Sequence, residues 1–407
     1  MTVKVFGIFV PGESLGLRSF EVYFGIGSRE GVGAWRSKYP SVQNLLDHLW
    51  RYTQSEASRV KYLRHLYQFC RWCGLGPEEL THLPKEKAEQ LVQSFADSLA
   101  MKGSSRAYVN TVIKRLKTFF RVNGYVGAQE LRVKSFFVPT RYRKVPEYIP
   151  TKDEVYRMAD AAGKLRDRAV ILVLWSSGLR VSTLCALNYG DVAEEIESGE
   201  PYIMIPVYPE MKERVPDACK GRIPYYTFIC PEAGEALRAY LKERAEKYGR
   251  IGLEEPLFHS QWNQWPSNER PKRRLNRRTI GKIVKNAAKL AGIKQWMHVT
   301  PHCLRKAFES VLRSPTIDGG RLDKGTQEFF MGHILPGTQD VYYDKTKIEF
   351  HREEYSKLDF SRGGLGQKIV DKLINLNELE KHLNEGWLFV AKISENECIV
   401  RRERKTI

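Results

Sequence analysis

The 407-residue chain carries 66 Lys and Arg against 48 Asp and Glu, a formal net charge of +18, so its natural partner is a polyanion, with nucleic acid first. At 42% hydrophobic it is long enough for two or three packed domains and is not a disordered tail. No apolar run reaches the roughly eighteen residues of a membrane span, and the N-terminus lacks the charged, apolar and small-residue regions of a signal peptide, so a cytoplasmic protein without a membrane partner is expected. Seven cysteines without framework spacing suggest reduced thiols. Cys70 and Cys73 form a CxxC, but no second pair or nearby His completes a metal site, and a core helix is the expected home of both.

Residues 1–38 are rich in Gly and β-formers and show no helical period; they read as an extension of unknown role. From 39 to 125 the stretches SVQNLLDHLWRY, SRVKYLRHLYQFCRWC, PKEKAEQLVQSFADSLAMK and SSRAYVNTVIKRLKTFFRVNGY each repeat apolar residues every three or four positions, separated by Gly and Pro. This predicts a bundle of four or five helices. Residues 126–150, with little periodicity and several prolines and basic residues, suit an extended linker. A second domain is expected over 151–360, opening at a capping box from Thr151 to Glu154. Within it DRAVILVLWSS reads as a helix, and PYIMIPVYP with RIPYYTFIC as a strand pair joined by EMKERVPDACKG. Beyond it, 361–407 reads as a hinge (SRGGLG), a helix over QKIVDKLINLNELEKHLNEG and a terminal hairpin.

Three places carry residues suited to chemistry. Gly178 is placed to end one helix in the left-handed conformation, which puts Arg180 at the start of the next, where a guanidinium and free backbone N–H groups can share an anion. Thr300 and Pro301 look like an N-cap and a first-turn proline, so His302 and Arg305, three apart, share a helix face and can grip one ligand. Gly332 and His333 are followed by adjacent tyrosines, Tyr342 and Tyr343. The segment RPKRRLNRRTIGKIVK, 270–285, adds eight basic residues and no acid. Arg273, Arg274, Arg277 and Arg278 there, Lys114, Arg115 and Lys117 in the bundle, and Arg141, Arg143 and Lys144 in the linker are the candidate phosphate contacts on double-stranded DNA.

Arg, then His-x-x-Arg, then Gly-His, then Tyr nine residues later together resemble the signature of the tyrosine recombinases, the phage-integrase family. The resemblance covers roughly residues 41–350, and the GTQDVYYDKT ending with its extra tail looks most like the integrases of archaeal plasmids and viruses. It implies a mainly α fold: a helical core-binding bundle, then a mixed α/β catalytic domain with a small antiparallel sheet. It also implies a site-specific recombinase that cleaves and rejoins DNA through a covalent 3′-phosphotyrosine, with four protomers on synapsed DNA and a monomer or dimer when free. Metal and ATP are not implied, since two arginines forked onto the nonbridging oxygens stabilise the charge.

Carried over position by position, Arg180 and Arg305 would hold the phosphate, and His302 and His333 would bond to it or handle the tyrosine proton. A lysine of the strand pair's loop, Lys212 or alternatively Lys220, would protonate the leaving oxygen. Family spacing counted from His333 lands on Tyr342. Adjacent helical residues point about 100° apart, so Tyr342 and Tyr343 cannot share one in-line position. The tail is a possible protomer contact. A type IB topoisomerase-like enzyme and an inactive DNA-binding protein of the same fold are the alternatives.

Overall fold

The computed structural model describes residues 17–139, 148–262, 264–335, 337–362 and 367–405. The chain divides into two compact units, 1–144 and 145–407. No helix among the described residues is long and apolar enough to cross a membrane.

The first unit contains α1 (Ser19–Tyr23), α2 (Pro40–Tyr52), α3 (Glu56–Cys73), α4 (Pro77–Thr81), α5 (Lys85–Met101) and α6 (Arg106–Val122). Its boundaries follow local chemistry. Ser55 and Ser105 accept from the backbone N–H groups of Ser58 and Tyr108 at their helix starts, Pro40 and Pro77 occupy first turns, and Gly74 ends α3 at φ 74°. Leu63, Leu66, Phe69 and Cys70 of α3 lie on its buried face. The stretch before residue 39 is not a separate extension over its described part. Phe20, Phe24 and Ile26 belong to the bundle core, and the buried Glu21 carboxylate accepts from the equally buried Arg59 at 3.0 Å. Its short helix escapes a periodicity reading because five residues are under two turns. After α6 the chain runs extended, but it is strapped down: Asn110 exchanges two 2.8 Å hydrogen bonds with the backbone of Phe136, and Gln93 accepts from Lys134 N.

The second unit begins at α7 (Lys152–Asp160), whose Thr151–Glu154 capping box is formed. Then come α8 (Leu165–Ser177), α9 (Val181–Ala186), α10 (Ala193–Glu197), β1 (Ile203–Val207), α11 (Met211–Arg214), β2 (Tyr225–Ile229) and α12 (Pro231–Tyr248). They are followed by α13 (Arg277–Leu290), α14 (Pro301–Arg313), α15 (Lys324–Phe330), α16 (Gln339–Tyr342) and α17 (Ile348–Ser356). Helix α8 is apolar on every side, and that pattern is met by its position: it is buried along almost its whole length among α7, α12, α14 and β2. Strands β1 and β2 pair antiparallel, with Ile205 opposite Thr227.

The C-terminal segment departs from the expected helix and hairpin. Residues 367–375 form β3, a short helix α18 (Leu379–Asn384) follows, and β4 (Leu388–Lys392) and β5 (Glu397–Lys405) complete an antiparallel sheet of order β3-β5-β4. Apolar residues at 369, 370, 373 and 374 fit a helix face as well as a strand. The β-branched Ile369, Val370 and Ile374 and nine residue pairs with β5 decide for the strand. This sheet is tied to its own unit: Asp371 accepts from Arg168 of α8 at 2.6 Å and from Arg401 of β5 at 2.7 Å, while Asp160 of α7 faces Arg168, Arg401 and Arg362. The fold is thus mainly helical, with two small antiparallel sheets among the described residues.

Candidate active site and nucleic-acid interface

Two glycines set the geometry of the site. Gly178 caps α8 at φ 61°, and a Cβ there would lie 2.1 Å from the Phe308 ring, so only glycine lets the α8–α9 turn lie directly on α14. Gly332 follows α15 at φ 59°, and a Cβ there would lie 2.3 Å from the Tyr225 ring of β2. The backbones on either side of these glycines meet in one side chain. Arg305, on α14, is 6% exposed, and its guanidinium donates to the carbonyls of Gly178 and Met331.

That guanidinium has no carboxylate partner among the described residues, and neither has Arg180, the half-exposed N-cap of α9. Burial holds Arg305 below its usual pKa, the Tyr225 hydroxyl opposes this, and the nearby positive charge of Arg180 adds to it. Two cations held close together, one of them buried and neither ion-paired among the described residues, make an arrangement that can hold an anion. The Tyr225 hydroxyl is buried beside them without a hydrogen-bond partner among the described residues; burial raises its pKa against the pull of Arg305 and Arg180.

His333 completes this group. Its Nε2 lies 3.5 Å from the Arg305 guanidinium, and its Nδ1 is 2.7 Å from Glu328 Oε2. A carboxylate accepts, so Nδ1–H donates to it and the Nε2 lone pair faces the site. His302 stands exposed on the first turn of α14, three residues before Arg305. Lys212 lies on α11 and its Nζ donates to Pro216 O at 3.1 Å; Lys220 is exposed. The buried Cys219 thiol is pushed up by burial and drawn down by Lys212 and Arg180, which brings those two cations to one neighbourhood. The loop between the strands is wound tightly, with Cys219 and Arg222 both at positive φ.

The adjacent tyrosines have different surroundings. Tyr342 ends α16 and is 82% exposed. Tyr343 is half-buried, its hydroxyl 2.9 Å from both Thr326 Oγ1 and His351 Nε2, its ring stacked on His351. Burial pushes its pKa up to about 12. Sequence alone does not single out Tyr225, Thr326 or His351, because nothing local marks them. Glu328, on α15 five residues before His333, is close enough in sequence to offer a signal.

The candidate DNA contacts divide. On α13, Arg278, Lys282, Lys285 and Lys289 recur at helical spacing opposite the buried Ile280, Ile283, Val284 and Ala287. Arg277 pairs with Asp217 at 2.9 Å. Arg273 pairs with Glu269 at 2.7 Å and lies over the Trp265 ring. Arg274 does not fit a phosphate contact: its guanidinium turns inward onto the carbonyls of Cys185, Ala186 and Leu187 and the Asn188 side chain, closing the C-terminal end of α9. In the bundle, Lys114 is exposed, Lys117 faces Glu130 at 3.6 Å, and Arg115 lies 3.2 Å from His65 Nδ1 and over the Tyr62 ring. Arg141, Arg143 and Lys144 lie outside the described residues.

This geometry coincides with a match of residues 150–345 to the phage integrase family. That segment is similar to the phage integrase family. It starts one residue before the N-cap of α7 and ends three residues after Tyr342, so it holds Arg180, Arg305, His333 and both tyrosines. The bundle, His351 and the tail sheet lie outside it. Tyrosine recombinase XerA of Thermococcus kodakarensis is 28% identical over 282 residues, which cover 69% of this chain and 82% of that protein. Tyrosine recombinase XerC of Thermodesulfovibrio yellowstonii is 25% identical over 314 residues, 74% of this chain and 90% of that protein. Among solved structures, a XerA recombinase aligns with 78% of this chain and 96% of its own at 23% identity and a TM-score of 0.35. A lambda integrase tetramer bound to a Holliday junction aligns with 72% of this chain and 74% of its own at 14% identity and a TM-score of 0.44.

Proposed function

We propose that this protein is a site-specific DNA recombinase, the integrase of a mobile element of the archaeal plasmid or virus kind, with Tyr342 as nucleophile. The observation that carries the reading is the buried Arg305 guanidinium, held by two carbonyls and facing His333 Nε2 beside Arg180, with no ion-pair partner among the described residues. Arg180 and Arg305 hold the nonbridging oxygens of the scissile phosphate, with His302 donating to it. His333, oriented by Glu328, takes the phenolic proton while the Tyr342 oxygen forms a bond to phosphorus. The bond from phosphorus to the 5′ oxygen breaks, and Lys212, which shares a neighbourhood with Arg180, protonates that oxygen. The 3′-phosphotyrosine keeps one phosphodiester for the one broken, so the reverse attack by a 5′ hydroxyl rejoins DNA without ATP.

The exposed basic face of α13, with Lys114 on α6, supplies the phosphate contacts that position the duplex. Four protomers on two DNA sites would carry out the exchange. Incubation with a nicked suicide DNA substrate in excess EDTA, followed by denaturing electrophoresis, tests the reading. A covalent protein–DNA band supports it. Absence of the band, with DNA still bound, would reduce the protein to a DNA-binding member of the fold.

A further inference from the structure

Behind Tyr342 lies a run of hydrogen bonds that the chemistry above does not use. Tyr226 Oη meets His351 Nδ1, His351 Nε2 meets Tyr343 Oη, Tyr343 Oη meets Thr326 Oγ1, and Thr326 Oγ1 meets Asp323 Oδ2. His351 is 1% exposed and packed among the Phe329, Tyr226 and Tyr343 rings. The proton order follows from one end. A carboxylate only accepts, so Thr326 donates to Asp323, and its single proton is used. Tyr343 therefore donates to Thr326, and its oxygen accepts from His351 Nε2–H. A neutral imidazole has one N–H, so Nδ1 accepts from the Tyr226 hydroxyl. Burial holds His351 below the usual imidazole range, although Asp323, Asp344 and Glu354 pull it the other way.

Every donor in this run has one acceptor, and the run spans three elements around the nucleophile: β2, α15 and α17. Alternate residues of a strand face opposite ways. Tyr225 thus lies against Gly332 and near the Arg305 guanidinium, while its neighbour Tyr226 reaches His351. Gly325 lets the arrangement close, since a Cβ there would lie 3.2 Å from the Tyr343 ring.

We propose that His351 is a positioning residue for strand cleavage: through Tyr343 and Tyr226 it fixes the end of α16 to the strand that packs on the phosphate-binding arginine, so that Tyr342 alone is presented to DNA. The inference rests on the assignment of Tyr342 as nucleophile. A loose hold on the attacking oxygen slows chemistry without weakening DNA binding.

The test uses single-turnover cleavage of the suicide substrate together with DNA affinity, on the full chain and on His351→Phe, His351→Gln, Tyr343→Phe and the double variant Tyr343→Phe/His351→Phe. Formation of the adduct by the unsubstituted chain checks the underlying reading separately. Cleavage by His351→Phe should fall about tenfold or more with affinity within about twofold, and His351→Gln, which keeps a donor toward Tyr343, should recover most of the rate. The double variant should be no slower than the slower single variant by more than about twofold, because both substitutions break the same run. His351→Phe at the full rate, His351→Gln as slow as His351→Phe, or multiplying losses in the double variant would each overturn the proposal. Should His351→Phe fail to fold, Tyr343→Phe decides: an undiminished rate overturns the proposal and a tenfold loss at unchanged affinity supports it.

Discussion

Replacing Gly332 by alanine should disable cleavage without removing any charged group from the site. Two costs add. The residue sits at φ 59°, where a Cβ brings about 1–2 kcal/mol of backbone strain. The new Cβ would also fall 2.3 Å from the Tyr225 ring, and ordinary contact begins near 3.4 Å, so the ring or the backbone must yield by about 1 Å. The backbone on one side of Gly332 supplies the Met331 carbonyl that holds Arg305, and on the other side it carries His333. A displacement of about 1 Å in such a group is worth on the order of a hundredfold in rate. Gly163→Ala is the matched control, because its φ is 67° but a Cβ there meets nothing within 4 Å. Both variants should lose thermal stability from strain, Gly332→Ala the more because of the clash, whereas only Gly332→Ala should lose about two decades in single-turnover formation of the covalent complex. Equal cleavage rates in the two variants would refute the idea that the close approach of Gly332 to Tyr225 aligns the site.

Neutralising Arg278 and Lys282 should flatten the dependence of log affinity on log salt by about 0.9 for each phosphate they no longer neutralise, while Arg274→Ala should leave the slope alone and lower thermal stability by about 1–3 kcal/mol through the carbonyls it uncaps; filter binding across a salt series with calorimetry on the same variants checks both. Burial, with Arg115, Arg64 and Lys61 nearby, pushes the His65 pKa down to about 4, so its contribution to stability is present above pH 6.5 and is lost as pH falls from there through 4, a loss on the order of 3 kcal/mol. His65→Gln should therefore reduce the acid sensitivity of unfolding over that window, read by denaturant titration at each pH. Asp371→Ala leaves the buried Arg168 with Asp160 alone and should cost about 3 kcal/mol, and truncation after Phe360 should destabilise the second unit as well as any assembly on DNA; unchanged melting of either protein would count against a structural role for the tail sheet.

What is legible in the sequence is what neighbouring residues decide between themselves. The Thr151–Glu154 capping box, the left-handed Gly178 and the Pro301 start of α14 depend on a few adjacent residues, and each is found in the fold. What stays hidden depends on partners distant in sequence. Phe20, Phe24 and Glu21 look unremarkable until α3 brings Arg59 to them. Arg274 looks like its basic neighbours until the end of α9 supplies carbonyls for it to close. The β3 segment carries a pattern that serves helix or strand equally, and the choice is made by a strand about thirty residues later. Glu328, Tyr225 and His351 gain meaning only through side chains they meet in space.

The proposed mechanism requires that one of two adjacent tyrosines attacks DNA, the exposed Tyr342 and not the hydrogen-bonded Tyr343. Digestion of the covalent complex formed on a suicide substrate, followed by sequencing of the DNA-linked peptide from 331–346, tests it most directly. The nucleotide adduct is expected on Tyr342, with loss of the adduct in Tyr342→Phe while DNA is still bound, and a slowed adduct on Tyr342 in Tyr343→Phe. An adduct on Tyr343, or a Tyr342→Phe variant that still forms one, would contradict it.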